Sequence, residues 1–182
     1  VIYLNGYIRD KPSSMIQRTM LLFAFCLIAA HVAGQQRPAD VQSEEAIIKA
    51  LYEVISGAPG EARDWNRFRH LFAESARLIP TRKENDQLVL RPLTPDEYIQ
   101  LFSSRVAGGF FEKELFARSE RYGTVVHRFS TYETRETVNG PITNRGINSI
   151  QLFFNGERYF IVSIFWCAES MGFPLPATYL PK

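Results

Sequence analysis

Two hydrophobic periods run along the chain from residue 43, and the change between them near Phe110 divides it. In "SEEAIIKALYEVISG" the residues Ile47, Ile48, Leu51, Val54 and Ile55 recur at helical spacing, which predicts a helix with one buried face. Ser43 is placed to cap it, Glu44 and Glu45 complement its positive end, and Gly57 follows it. Asp64 caps a second, short helix that buries Trp65, Phe68, Leu71 and Phe72. "ARLIPT" and "QLVLRP" flank the polar turn "KENDQ" and predict a strand pair, or a strand and an extended loop. In "TPDEYIQLF" Thr94 is the cap, Pro95 the first helical residue and Glu97 the partner of a capping box. Tyr98, Leu101 and Phe102 form the apolar stripe of this third helix, and Gly108 with Gly109 ends it.

Beyond Phe110 the pattern predicts four long strands, at 110–120, 124–137, 142–154 and 157–168. Residues 121–123, Asn139-Gly140 and Asn155-Gly156 supply the turns, so the four form an antiparallel meander. Helices, short strands, a helix and then a meander make an α+β order, with helices covering one face of a curved sheet. "RYFIVSIFW" is apolar at nearly every position, which calls for a cover on the other face as well. A homodimer through the outer sheet face is the expected cover. "MGFPLPATYLPK", with three prolines, predicts an extended arm over 170–182.

The chain ahead of the first helix reads differently. Residues 1–14 resemble neither a domain nor a targeting signal, and Met15 is the better start. Arg18, the apolar run "MLLFAFCLIAA", and the small residues Val32 and Gly34 predict a signal peptide over 15–34, followed by a linker over 35–42. The apolar run is about half of the roughly 20 residues a spanning helix needs, so no stable membrane insertion is expected after cleavage. Cys26 leaves lipidation as an alternative, opposed by the bulky Phe25 before it. The expected location is periplasmic or secreted. The formal charge of +2 belongs to Arg9, Lys11 and Arg18 against Asp10, and the rest of the chain is balanced. That balance points away from nucleic acid. Beyond the leader Cys167 stands alone, so no internal disulfide forms there.

The element order, the aromatic second helix around "DWNRFRHLF" and the closing pair "RGINSIQLFFNGERYFIVSIFW" resemble the nuclear transport factor 2-like superfamily. That superfamily includes SnoaL-like polyketide cyclases and ketosteroid isomerases. The resemblance covers about 43–169. It implies a cone-shaped half-barrel, a curved antiparallel sheet with three helices on its concave side and one hydrophobic cavity. Gly146 and Gly123 sit where a bent sheet needs bulges or close approach. The fold serves enzymes, binding proteins and scaffolds alike.

"VVHRFSTYETRE" holds the candidate chemistry. Histidine as a residue type suits proton transfer near neutral pH, so His127 is either a general base or a hydrogen-bonded sheet residue. As a base it would need Tyr132 or Arg145 to stabilise negative charge. Alternation sets His127, Phe129, Thr131, Glu133 and Arg135 on one face and Arg128, Ser130, Tyr132 and Thr134 on the other. His127 and Tyr132 therefore do not share a face unless a bulge intervenes. The expected ligand lining is Trp65, Phe68, Tyr98, Phe129, Ser149, Gln151, Tyr159 and Trp166. A ladder from Glu133 or Glu136 to Arg145 is the structural alternative for the polar strands. Asp96 is explained as a charge in the first turn of a helix. His70 and His127 lack metal-ligand spacing, and no cofactor fingerprint is present, so neither metal nor cofactor is expected. Three functions follow: an exported binder of a small apolar or amphipathic molecule, a cofactor-independent SnoaL-like lyase or isomerase, and a dimeric scaffold with a filled cavity.

Overall fold

The computed structural model describes residues 38–104 and 108–182; the leader expected at 15–34 lies outside them. Helix α1 (Glu44–Ile55) starts where the Ser43 hydroxyl accepts from Ala46 N at 3.0 Å. It buries Ile47, Ile48, Leu51, Tyr52, Val54 and Ile55. Past its end, the Arg63 guanidinium donates to the Ile55 carbonyl, an acceptor the helix leaves open, and to the Gly57 carbonyl beyond it. Helix α2 (Trp65–His70) is capped by Asp64 and buries Phe68. Helix α3 (Pro95–Ser103) carries the full capping box of Thr94 and Glu97. Its buried residues are Ile99 and Phe102, while Leu101 is only half-buried. No helix among the described residues is long and apolar enough to cross a membrane.

Among the described residues six strands form one sheet in the order β2-β1-β6-β5-β4-β3. They are β1 (Phe72–Glu84), β2 (Gln87–Leu90), β3 (Phe111–Tyr122), β4 (Val125–Arg135), β5 (Ile142–Phe154) and β6 (Tyr159–Ala168). The meander β3 to β6 is antiparallel as expected, but β1 runs parallel to β6, so the whole sheet is mixed. β1 also begins far earlier than "ARLIPT". Phe72 pairs with Ile161, and the register breaks before Arg77. That irregular opening hides the strand from a period-two reading. The β1–β2 turn places Asn85 and Asp86 at φ of 50° and 64°, the left-handed pair a two-residue hairpin needs. The β4–β5 connection is longer than a tight Asn-Gly turn, running from Arg135 to Ile142.

All three helices lie on the concave face, where Val126, Ile150, Leu152, Ile161 and Ile164 meet the α1 stripe and Phe68. This is an α+β half-barrel. The C-terminal arm lies over the outer face, where the Thr131 hydroxyl donates to the Tyr179 carbonyl at 2.7 Å and Tyr179 packs edge-on to Phe129.

Candidate functional site

A cavity of about 190 Å³ opens between the helices and the concave face. Its apolar part comes from stacked aromatic rings. Tyr98 stacks on Phe68 and Phe102 at 5.5 and 5.3 Å and meets Trp166 edge-on at 6.5 Å. Trp65 stands behind them, edge-on to Phe68 and Phe102. The polar part is built by the sheet: Glu112 from β3, Tyr132 and Thr134 from β4, Asn144 and Asn148 from β5. Register brings these together, since Glu112 pairs with Thr134 and Tyr132 with Gly146. A Cβ at Gly146 would lie 2.5 Å from the Tyr132 hydroxyl and 2.4 Å from the Cys167 carbonyl, so the ring sits where glycine leaves room.

A hydrogen-bonded chain runs from this polar part to the protein surface. Asn148 Nδ2 donates to Tyr52 Oη at 3.0 Å and approaches Glu112 Oε1 at 3.4 Å. Ser130 Oγ donates to Glu114 Oε2 at 2.6 Å, so the 2.7 Å contact between Tyr52 and Ser130 is donated by the tyrosine. Arg128 closes the chain with paired bonds to Glu114 and a bond of 2.7 Å to Glu44 on α1.

Electrostatics single out Glu112. Although the residue as a whole is only partly buried, its carboxyl is walled in. Burial pushes that carboxyl up to about 8, against the one hydrogen bond from Asn148 that favours ionisation. At neutral pH Glu112 therefore keeps its proton and can donate it to a hydrogen bond. Burial, and after it the neighbouring Glu112, also holds the Tyr52 and Tyr132 phenols well above the usual tyrosine value.

The residues proposed from sequence separate by face. Phe68, Tyr98, Trp166 and Tyr132 line the cavity, with Trp65 packed behind. Tyr159 is core at another point, taking a hydrogen bond from Arg121 and packing on Phe154. His127 lies on the outer face, bonded to Ser149 at 3.0 Å and near Phe129, with Gln151 opposite it in register. Arg145 is on that face too, paired with Glu169 at 2.9 Å. The structure thus does not bring His127, Tyr132 and Arg145 together, and parity is the reason: no bulge interrupts β4 between residues 127 and 132. Glu133 and Arg145 are opposite in register, yet Glu133 pairs with Arg135 and Lys113 instead.

Sequence reasoning did not single out Glu112 or Tyr52. Tyr52 had a signal, a hydroxyl at position i+4 from Ile48 on the buried stripe. Glu112 had none, because its face depends on a pairing made across the sheet.

No protein-family model matches the chain, and no curated protein matches it. Solved structures similar to it include an NTF-2 like protein of unknown function from Silicibacter pomeroyi, at 12% identity and TM-score 0.45, over 78% of this chain and 98% of that one. Another is the yeast UBP3-associated protein BRE5, at 16% identity and TM-score 0.49, over 68% and 92%. A third is LinA, at 8% identity and TM-score 0.48, over 66% and 79%. With its six-stranded curved sheet, parallel only between β1 and β6, and three helices in the concave face, the described domain is the α+β half-barrel that the resemblance to the nuclear transport factor 2-like superfamily implies.

Proposed function

We propose that this domain binds a small, largely apolar molecule carrying one carbonyl or hydroxyl oxygen, held in the cone with that oxygen toward Glu112. The observation that carries this is a proton-retaining carboxyl in a cavity that sets the sheet's polar side chains Tyr132, Thr134, Asn144 and Asn148 opposite an aromatic and aliphatic wall. A ligand oxygen placed on that proton gives it a hydrogen bond inside the cavity, of a kind worth about 0.5–1.5 kcal/mol net. A scaffold filled by its own side chains is disfavoured by the open 190 Å³. The leader expected at 15–34 supports a location outside the cytoplasm for this binding. The apolar outer face, with Phe153 and Phe165 exposed, supports a homodimer.

Mass spectrometry of the purified protein under native conditions is the test. A co-purified neutral molecule that is absent from Glu112→Leu, which removes the donor, supports the reading. A protein that neither carries nor takes up any neutral carbonyl or alcohol overturns it.

An isomerase or lyase remains the second reading, favoured by the position of Glu112 as the titratable carboxyl in the cavity. In that reading Glu112, and not His127, exchanges the proton with substrate. Turnover lost in His127→Ala with folding intact would count against it.

A further inference from the structure

A larger space adjoins the cone. It is a groove of about 570 Å³ between α1 and β3, whose apolar lining includes Ile48, Tyr52, Phe111 and Val138. Glu112 lines both the groove and the cone. The charges around the groove are already matched: Lys49 with Glu53, Arg128 with Glu44 and Glu114, and Lys113 and Arg135 with Glu133. Burial opposes ionisation of Glu133, but its two cationic partners outweigh that and hold it below the usual carboxylate range. Glu45, the remaining charge, is exposed in the first turn of α1, where it complements the helix dipole. A charged ligand would find no counter-ion waiting in the groove. An uncharged apolar one would find surface to bury.

Size makes the connection matter. Pockets for drug-sized ligands span about 300–1,000 Å³. The cone alone, at about 190 Å³, falls below that range, and cone and groove together fall inside it.

We propose that the ligand is an uncharged, elongated molecule whose oxygen-bearing end occupies the cone and whose apolar body passes Glu112 into the groove between α1 and β3. Phe111 and Val138 then determine which ligand lengths are accepted. This inference rests on the cone-binding reading given above.

Unbranched methyl ketones from hexanone to dodecanone are the probes, and fluorescence of Trp65 and Trp166, the only tryptophans in the chain, reports on the cone. Hexanone fits the cone alone. Longer ketones should bind tighter by about threefold to fourfold per methylene as the groove fills. Val138→Asp changes a residue that is 67% exposed, so folding is spared. It should weaken dodecanone by about tenfold or more and leave hexanone unchanged. Phe111→Ser should act in the same direction. If hexanone binds but affinity stops rising with length, or neither substitution touches dodecanone, the groove is not part of the site and the cone reading stands. If no ketone of any length binds, the cone reading itself falls and the inference with it.

Discussion

A carboxyl enclosed as Glu112 is responds to pH in the opposite sense from a salt-bridged surface glutamate. Folding raises it from the ordinary 4.5 to about 8. Below pH 4.5 folded and unfolded chains both carry the proton, and the group costs nothing. Between about 4.5 and 8 the unfolded chain releases the proton while the folded chain keeps it, so stability falls as pH rises. The slope from one such group is at most about 1.4 kcal/mol per pH unit. Glu112→Gln removes the titration and keeps a similar shape. Urea denaturation of both proteins from pH 4 to 9 should therefore show the variant gaining on the wild type through this window, and the gap should be constant outside it. A gap that does not change with pH would mean that the carboxyl is solvated and the site is not as enclosed as described.

At the level of elements, the site depends on how β4 and β5 meet. Tyr132 reaches the cavity because Gly146, directly opposite, has no side chain. Its missing Cβ would collide with a backbone carbonyl as well as with the phenol, so moving the ring alone would not relieve the contact. Gly146→Ala should cost about 1–3 kcal/mol, read as a lower urea midpoint, and should displace Tyr132 from the cone. The helices, their caps and the meander were legible beforehand because their signals are local: Ser43, Asp64 and Thr94 each bond to the backbone within three residues. The direction of β1 was not, since a parallel pairing with β6 joins residues far apart in sequence. Nor was the floor of the cavity. The bulge between Glu114 and Phe116 makes the register of β3 unreadable from alternation, and Glu112 gains its surroundings from Asn148 and Tyr52 on other elements. Parity along β4 was readable, because that strand is regular from His127 to Tyr132, and it correctly set those two residues apart.

For the whole molecule, the two faces of the sheet do different work. The concave face holds the core and the cavity, while the outer face is covered only in part. The C-terminal arm shields Thr131, fully buried, and packs on Phe129. Val125, Phe153 and Phe165 stay 55, 41 and 42% exposed on that outer face. Phe153 stacks with Phe160 from the neighbouring strand, which extends the apolar surface across β5 and β6. Large apolar side chains left in solvent on one sheet face mark an interface. A two-fold dimer would set the same patch against itself, so one substitution introduces two charges at the contact. Phe165→Glu is the informative change. Its side chain is already half in solvent, so the monomer fold should tolerate it, whereas burying paired carboxylates in an apolar interface is strongly unfavourable. Sedimentation velocity at micromolar concentration should show a dimer for the wild type and a monomer for Phe165→Glu with unchanged circular dichroism. A wild type that sediments as a monomer would overturn the dimer and leave Val125, Phe153 and Phe165 facing solvent.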